Sequence, residues 1–148
     1  MRIEIRALEA ADSDQWLPLW QGYLDFYKDV LPEGLTELTW QRIIDADFNL
    51  HGFGAFDDGQ LLGIAHYNFQ NSTISRNGFV LLEDLFVSLE IRGKGVGRLL
   101  INAVKTEAEK NGCSRLYWDT DRTNETARKL YDSYITEAGK VQYRLPLI

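Results

Sequence analysis

The amino-acid sequence predicts a mixed α/β fold, in which a central sheet carries helices on both of its faces. Three observations support this prediction. Several short runs are rich in β-branched and aromatic residues or alternate apolar with polar residues, as strands do. Longer runs place apolar residues three and four positions apart, as amphipathic helices do. Between residues 80 and 100, a strand-like run passes through a glycine-rich turn into a helical run.

The first half of the chain is predicted to form a strand, two helices and a β-hairpin. Ile3, Ile5 and Ala7 alternate with charged residues, which indicates a half-buried first strand. Asp12 or Ser13 can cap the first helix. The expected elements are a strand at 3–7, a helix with apolar positions at 16–27 that ends before Pro32-Glu33-Gly34, a helix at about 39–47, and a hairpin of 52–56 and 61–69 around the turn 57–59.

The second half is predicted to alternate strands and helices. A polar loop at 71–78 leads to a central strand at 79–87, and a helix then runs from about 95 to 110, where Asn111-Gly112 ends it. The remaining elements are a strand at 116–120, a helix at 124–134 and a last strand at 141–147. The buried stripe of the 95–110 helix is expected at Leu99, Leu100, Ala103, Val104 and Ala108. Because no linker or repeat interrupts this order, we expect one domain over residues 1–148.

Composition excludes several classes of protein. The chain has 148 residues, 45% of them hydrophobic, which suits a packed core rather than a disordered chain. It contains no apolar stretch of the length that a membrane span needs and no signal-peptide core near its start, so a cytoplasmic protein without a membrane partner is expected. The net charge of −6 disfavours nucleic-acid binding. Cys113 is the single cysteine, and no cysteine and histidine spacing predicts a metal site.

The glycine-rich turn is predicted to bind an anion. Its glycines have no Cβ, so the backbone can turn sharply and point successive N–H groups at one ligand. The helix that follows presents the positive end of its dipole at the same place. The glycines are Gly93, Gly95 and Gly97, and the neighbouring cations are Arg92, Lys94 and Arg98. The expected ligand group is a phosphate or pyrophosphate.

Two common phosphate motifs fit this turn poorly. A P-loop requires Ser or Thr after Gly-Lys, whereas Lys94 is followed by Gly95 and Val96. A dinucleotide fingerprint that began at Gly93 would require a small residue where Arg98 stands. The pattern that remains is Arg-x-x-Gly-x-Gly, from residue 92 to 97, directly after a strand that ends Leu-Phe-Val.

With this pattern the chain resembles the GNAT (Gcn5-related N-acetyltransferase) superfamily. A second segment, Asn-x-x-Ala-x-x-Leu-Tyr from Asn124 to Tyr131, matches one that commonly follows in that family. The resemblance implies the GNAT fold, with a mixed, mostly antiparallel sheet. It also implies an enzyme that transfers acetyl from acetyl-CoA directly to a primary amine in a ternary complex. Leu89 departs from the family, where many members have proline, and 135–140 lacks the usual Gly-Phe.

The chain also looks like the Hpa-type histone and polyamine acetyltransferase branch. Residues 19–27, 130–132 and 142–144 carry this likeness. It implies an acceptor that is a polyamine, an amino acid or a lysine side chain of a peptide. It further implies a possible homodimer, formed through the C-terminal strand at 141–147.

The GNAT resemblance implies a set of coenzyme A contacts. Main-chain amides of 92–97 would hold the pyrophosphate, and main-chain groups of Leu85 and Val87 would pair with the pantetheine arm. The Val87 amide would face the thioester oxygen, and the Tyr131 hydroxyl would protonate the departing thiolate. A core role for the Tyr131 ring is the alternative. The predicted cofactor-binding residues are Leu85, Phe86, Val87, Arg92, Gly93, Lys94, Gly95, Val96, Gly97, Arg98, Asn124, Ala127 and Tyr131.

Glu83 is the candidate general base. By strand alternation it shares a face with Leu85 and Val87, while Asp84 points to the other face. Glu83 could take the amine proton or hold a cationic substrate, and an ordinary surface ion pair is the alternative. The candidate acceptor-binding residues are Tyr23, Tyr27, Asp29, Glu83 and Asp119. His66 lies within a predicted strand and is interpreted as a structural residue.

Two other functions stay open at this point. A non-catalytic module on the same fold could bind acyl-CoA as a sensor, although a sensor needs neither Glu83 nor Tyr131. A nucleotide-phosphate binder is disfavoured because the turn lacks the Ser or Thr of a P-loop.

Overall fold

A computed structural model describes residues 1–147, and the chain divides into two compact units at Trp118 and Asp119. The prediction of one domain over 1–148 stays a prediction. The first unit contains β1 (Ile3–Ala7), α1 (Ser13–Tyr27), α2 (Leu35–Ile43), β2 (His51–Asp57), β3 (Gln60–Gln70), β4 (Phe79–Val87), α3 (Val96–Lys110) and β5 (Arg115–Tyr117). The second unit contains α4 (Glu125–Asp132). Short 3-10 turns lie at Ala10–Asp12 and Leu89–Ile91.

The five strands form one sheet in the order β1-β2-β3-β4-β5. The first three pairings are antiparallel, and β4 pairs with β5 in parallel over Phe79–Leu81 only. The predicted mixed, mostly antiparallel sheet is therefore confirmed. Asp58 and Gly59 join β2 to β3 with φ angles of 48° and 80°, as the tight hairpin turn predicted for this segment requires.

Helices cover both faces of the sheet, as predicted. On one face, Trp16 and Trp20 of α1 pack in a buried cluster with Ile64 and Phe86 of the sheet. On the other face α3 lies so close to the sheet that a Cβ on Gly63 would come within 3.1 Å of Leu100. The buried residues of α3 are Val96, Leu100, Ile101, Val104 and Ala108. Leu99, which was expected in this stripe, is exposed.

Three predicted elements differ from the structure. The second helix is Leu35–Ile43 rather than 39–47, because Gly34 adopts φ 82° as its N-cap and the helix begins directly after it. The strand expected at 116–120 is shorter, Arg115–Tyr117. The strand expected at 141–147 is wrong, since residues 133–147 form neither helix nor strand. Alternating apolar residues make a strand only where another strand supplies hydrogen bonds.

None of the helices within residues 1–147 is both long enough and apolar enough to cross a membrane.

Candidate functional site

The turn between β4 and α3 has the backbone that anion binding requires. Gly93 and Gly95 adopt φ angles of 83° and 81°, and a Cβ on either would meet nothing within 4 Å. Gly95 is the N-cap of α3, and no side chain caps this helix end. The first N–H groups of α3 therefore have no partner within the helix, and they face open space beside two glycines. The sharp glycine turn that the sequence predicted is therefore present, and binding of an anion there stays a prediction.

The three cations of this turn do not play equal parts. Arg92 folds back onto β4: its Nε donates to the Val87 carbonyl at 3.2 Å. Its guanidinium lies 5.2 Å from the Phe86 ring and 5.4 Å from the Phe26 ring. Lys94 and Arg98 are exposed. Arg92 thus ties the turn to the end of β4.

The carboxyl-terminal half of β4 has one open edge. Leu85, Phe86 and Val87 pair with Ala65, Ile64 and Gly63 of β3 on one side. On the other side the ladder to β5 ends at Leu81, so in the sheet of residues 1–118 the main chain beyond it has no strand partner there. An extended ligand arm with amide groups can pair with such an edge. The edge leads directly into the anion-binding turn, which suits the pantetheine arm and pyrophosphate of coenzyme A.

The individual side chains of this stretch differ in exposure. Phe86 is buried in the core cluster beneath α1, and Val96, the first residue of α3, is also buried. Both could contribute to a cofactor site only through their main-chain groups. Leu85 and Val87 are half-buried.

A β-bulge changes the predicted position of Glu83. His66 pairs with Asp84, and the next residue of β3, Tyr67, pairs with Leu82. Glu83 is therefore the extra, unpaired residue of β4 at this bulge. The Glu83 carboxylate accepts from the Asn68 amide at 3.2 Å, and the Asp84 carboxylate contacts His66 at 3.0 Å. Since His66 and Asn68 lie two residues apart on β3, both acidic side chains lie on the same face. The expectation that Glu83 shares a face with Leu85 and Val87, opposite Asp84, is wrong, because simple alternation fails across a bulge.

The bulge also places Glu83 close to a second negative charge. Burial raises the pKa of Glu83, and the charge of Asp84 raises it further, while His66 and the hydrogen bond from Asn68 oppose this. A carboxyl group that keeps its proton to higher pH is a better proton acceptor near neutrality. Glu83 therefore has a raised pKa and lies on the open stretch of β4, two residues before Leu85, which makes it a candidate general base.

Tyr23 lies against this acidic pair. Burial raises its pKa, and the charge of Asp84 and a hydrogen bond to Asp84 raise it further. Its ring packs between Trp20, at 5.2 Å, and Tyr27, at 4.8 Å. Asp29 follows α1, is exposed and contributes to the same pKa shift of Tyr23. The structure thus brings Tyr23, Glu83 and Asp84 together, with Tyr27 and Asp29 beside them.

The remaining predicted residues belong to the second unit. Asn124 caps α4, its side-chain oxygen accepting from the Ala127 N–H at 3.2 Å. Asn124, Ala127 and Tyr131 are all half-buried, which places them on one face of α4 as their spacing predicted. Asp119 accepts from the Gln142 side chain at 3.2 Å.

Sequence reasoning missed two residues of the first unit, Asp84 and His66. His66 is 1% exposed and contacts both Asp84 and Trp16. A histidine within an apolar strand, one strand away from paired acidic residues, is the only signal that the sequence offers for this arrangement.

Comparison with known proteins agrees with this geometry. The profile of the Acetyltransferase (GNAT) family matches residues 15–134. A D-amino-acid N-acetyltransferase of Saccharomyces cerevisiae is 37% identical over 145 residues, which cover 97% of this chain and 90% of the relative. An aminoglycoside N(6')-acetyltransferase of Salmonella typhimurium is 26% identical over 138 residues, covering 88% and 89% of the two chains.

A solved structure shows the same fold over the whole chain. The aminoglycoside acetyltransferase AAC(6')-Iy, in complex with a bisubstrate analogue of coenzyme A and acetylneamine, superposes with a TM-score of 0.87 at 23% identity. The match covers 100% of both chains.

Proposed function

We propose, from the premise that this chain belongs to the Acetyltransferase (GNAT) family, that it transfers acetyl from acetyl-CoA to the primary amine of a small molecule, both substrates being bound at once. The observation that carries this proposal is the open edge of β4, which leads into an uncapped helix N-terminus beside two glycines. An extended arm that ends in a pyrophosphate matches both parts.

Each step of acetyl transfer has a candidate group in the chain. Bound acetyl-CoA supplies the acetyl thioester. Glu83 accepts the proton that the amine must lose before its lone pair can attack. The Val87 N–H is the proposed donor to the thioester oxygen as charge develops there. The carbon–sulfur bond breaks as the carbon–nitrogen bond forms, and the Tyr131 hydroxyl is the proposed proton source for the departing sulfur.

Small amines are the favoured acceptor class. The relatives are named for a D-amino acid, an aminoglycoside and, over 84 residues at 30% identity, spermine and spermidine. All these acceptors carry an amine that is a cation at neutral pH. Glu83 and Asp84 place two carboxyl groups on one face of the sheet, with Tyr23 beside them, which suits an ammonium group. Amino acids and polyamines are therefore proposed before lysine side chains of peptides.

An amine panel tests this proposal. Purified protein is incubated with acetyl-CoA and D-amino acids, L-amino acids, spermidine, an aminoglycoside or a lysine peptide, and release of the free thiol is followed. We expect thiol release with at least one small amine, and loss of about 10²-fold or more of that rate in Glu83→Gln. Full activity of Glu83→Gln would show that the base lies elsewhere.

A sensor that binds acyl-CoA without turnover is the second candidate. The same backbone features favour binding of coenzyme A with or without catalysis. Calorimetry with acetyl-CoA, coenzyme A and ATP, beside the amine panel, separates the two functions. Binding of acetyl-CoA with no thiol release for any amine would favour the sensor, whereas tight binding of ATP alone would contradict both.

Self-association through the C-terminal segment is a further part of the proposal. Apolar residues alternate there and are largely exposed: Val141 by 67%, Tyr143 by 93% and Leu145 by 84%. Such exposure of alternating apolar side chains is unusual in a chain that stays monomeric. A second copy that paired with this segment as a strand would cover them and form a homodimer.

A further inference from the structure

Three side chains from three elements form a continuous hydrogen-bonded chain that ends at Asp84 of the acidic pair. The Trp16 indole N–H donates to His66 Nε2 at 3.0 Å. An indole nitrogen can only donate, so Nε2 of His66 must be the unprotonated acceptor. The ring proton therefore lies on Nδ1, which donates to Asp84 Oδ2 at 3.0 Å. The order of the chain is Trp16, His66 and Asp84, and Tyr23 lies beside Asp84.

Asp84 is hydrogen-bonded by His66 of β3, and Tyr23 of α1 lies close to it. The ion pairs of residues 1–118 bring no lysine or arginine to the Asp84 carboxylate. The His66 ring is itself fixed, because it is 1% exposed and packs 5.3 Å from the Trp20 ring. The hydrogen bond from this fixed ring therefore holds the Asp84 carboxylate in one place.

The fixed charge of Asp84 acts directly on Glu83. The β-bulge turns both acidic side chains to the same face, and Asn68 holds the Glu83 carboxylate by one hydrogen bond. The groups that face Glu83 are His66 and Asn68 from β3, Asp84 from its own strand and, through Asp84, Tyr23 from α1. Of the charged groups, only Asp84 is both adjacent and negative. A negative charge beside a carboxylate favours the protonated form of that carboxylate.

We propose that Asp84 is a positioning residue for acetyl transfer, held by His66 and Trp16, and that its fixed charge sets the pH range over which Glu83 accepts the proton of the amine. The proposal rests on the proposed role of Glu83 as general base. A histidine that only stabilises the core would affect folding and leave the proton affinity of Glu83 unchanged, which is what the experiments separate.

The first experiment measures the titration midpoint of the Glu83 carboxyl group in the absence of the reaction. Protein labelled with ¹³C at the glutamate side-chain carboxyl carbon is titrated by NMR, and Glu83→Gln identifies the Glu83 signal. In Asp84→Asn, which keeps the shape but removes the charge, the Glu83 midpoint is expected to fall by roughly 0.5 to 1 pH unit. An unchanged midpoint in a folded Asp84→Asn protein would overturn the proposal.

The second experiment follows the reaction. The acidic limb of the kcat/KM profile reports the free enzyme's base. In Asp84→Asn this limb is expected to move to lower pH by the same amount as the NMR midpoint, with lower kcat near neutrality because the base is weaker. An acidic limb that stays where it is in the wild type would overturn the proposal.

Variants of His66 separate positioning from stability. In His66→Asn the side-chain amide nitrogen lies near the position of Nδ1 and can still donate a hydrogen bond to Asp84. In His66→Leu the side chain cannot donate a hydrogen bond. We expect His66→Leu to lower kcat about tenfold and to disturb the acidic limb, and His66→Asn to recover most of the loss. Equal profiles for the two variants, with only thermal stability changed, would contradict a positioning role. Should His66→Leu fail to fold, Tyr23→Phe removes the hydroxyl group that lies beside Asp84 and takes its place.

These outcomes distinguish the two proposals. A wild-type protein that acetylates no amine would overturn the proposed function, while the NMR titration would still measure the coupling of Asp84 to Glu83. If the enzyme is active but the NMR midpoint of Glu83 and the acidic limb of the kcat/KM profile are the same in wild type and Asp84→Asn, only this inference is overturned. Coenzyme A affinity serves as the control for folding in every variant, since the anion-binding turn contacts neither Asp84 nor His66.

Discussion

Single side chains decide both the chemistry and the stability of this protein, and Tyr131 is the one on which the proposed reaction depends most. Its replacement by phenylalanine keeps the ring and removes the proton donor. We expect kcat to fall by about 10²-fold, because general acid catalysis commonly contributes at least that much. Thiol release with the best amine of the panel measures it. Tyr143→Phe is the matched control, since Tyr143 is 93% exposed and its hydroxyl has no proposed role.

An unchanged kcat in Tyr131→Phe would mean that water or another group protonates the sulfur. The half-buried position of Tyr131 on α4 would then reflect packing alone.

Arg6 and Asp12 form the ion pair that most affects stability near the start of the chain. Arg6 donates to both Asp12 carboxylate oxygens, at 2.8 and 3.0 Å, and Asp12 is 5% exposed. Because Arg6→Ala leaves a buried carboxylate without its charged partner, we expect a loss of roughly 2 to 3 kcal/mol in the free energy of unfolding at pH 7. Urea denaturation measures this loss. Arg2→Ala, at an exposed position, should change it by less than about 0.5 kcal/mol.

The effect of Arg6 should depend on pH in a definite direction. The hydrogen bonds from Arg6 lower the pKa of Asp12 below its usual value. A carboxyl group with a lowered pKa in the folded state contributes stability above its unfolded pKa, about 3.9, and loses that contribution as pH falls through the folded pKa. The difference between wild type and Arg6→Ala should therefore be full at pH 7 and shrink below about pH 4. A difference that stays constant from pH 7 to pH 3 would contradict the ion pair as its cause.

The neighbourhood of Glu83 shows where residue-level prediction from sequence fails. The sequence identified Glu83 as the candidate base, but it placed Glu83 on the face of Leu85 and Val87 and gave His66 no catalytic role. Strand alternation assumes an unbroken register, and the bulge opposite His66 and Tyr67 breaks it. No residue in this stretch is a glycine or proline that would reveal a bulge beforehand.

At the scale of elements, the turn before α3 joins strand, anion site and helix in a few residues. Gly95→Ala tests it, because the added methyl group would occupy the open space where a pyrophosphate is expected and would strain a φ of 81°. We expect coenzyme A affinity to fall at least tenfold by calorimetry. Stability should fall by only about 1 kcal/mol, the usual cost of a side chain at positive φ.

Gly59→Ala is the matched control for this change. Gly59 also has a positive φ, 80°, and nothing within 4 Å of an added Cβ, but it lies in the β2–β3 turn. It should lose the same stability and keep full coenzyme A affinity. If both variants bind coenzyme A equally well, the turn before α3 does not hold the pyrophosphate.

Most elements could be predicted because their boundaries have local causes. Glycines end or begin helices through their positive φ, and the Asp58-Gly59 turn fixes the hairpin register. The second helix was misplaced by four residues because Gly34 was interpreted only as a terminator, although it is the N-cap of α2. The strand at 141–147 failed for a different reason. A strand depends on its partner, and the sequence of one segment does not specify which strand lies beside it.

At the scale of the whole molecule, the two motifs that indicated the family come from different units. The Arg-x-x-Gly-x-Gly turn lies in residues 1–118, and the Asn124 to Tyr131 segment lies in residues 119–147. Their order along the chain was enough to predict the GNAT fold, which the family match and the structural likeness confirm. The identity of the acceptor could not be predicted, because the side chains that we propose to bind it come from α1, β3 and β4 rather than from any one segment.

Self-association is the property that only the whole molecule can have, and the C-terminal segment is where we expect it. Residues 141–147 alternate exposed apolar side chains with polar ones and have no strand partner among residues 119–147. We expect a dimer in sedimentation velocity at micromolar concentration, because pairing as a strand would satisfy the backbone and bury these side chains together. Leu145→Asp should shift the population to monomer by at least tenfold in dissociation constant.

The matched control is Ile74→Asp, since Ile74 is also apolar and 76% exposed but lies in the polar loop before β4. This variant should dimerise like the wild type. A wild-type protein that stays monomeric at every concentration would show that no second copy covers this segment. The segment would then either pack within its own chain or stay exposed to solvent. In that case Leu145→Asp should still lower thermal stability if the segment packs within the chain, and should leave it unchanged if the segment stays exposed, so one variant decides between the two.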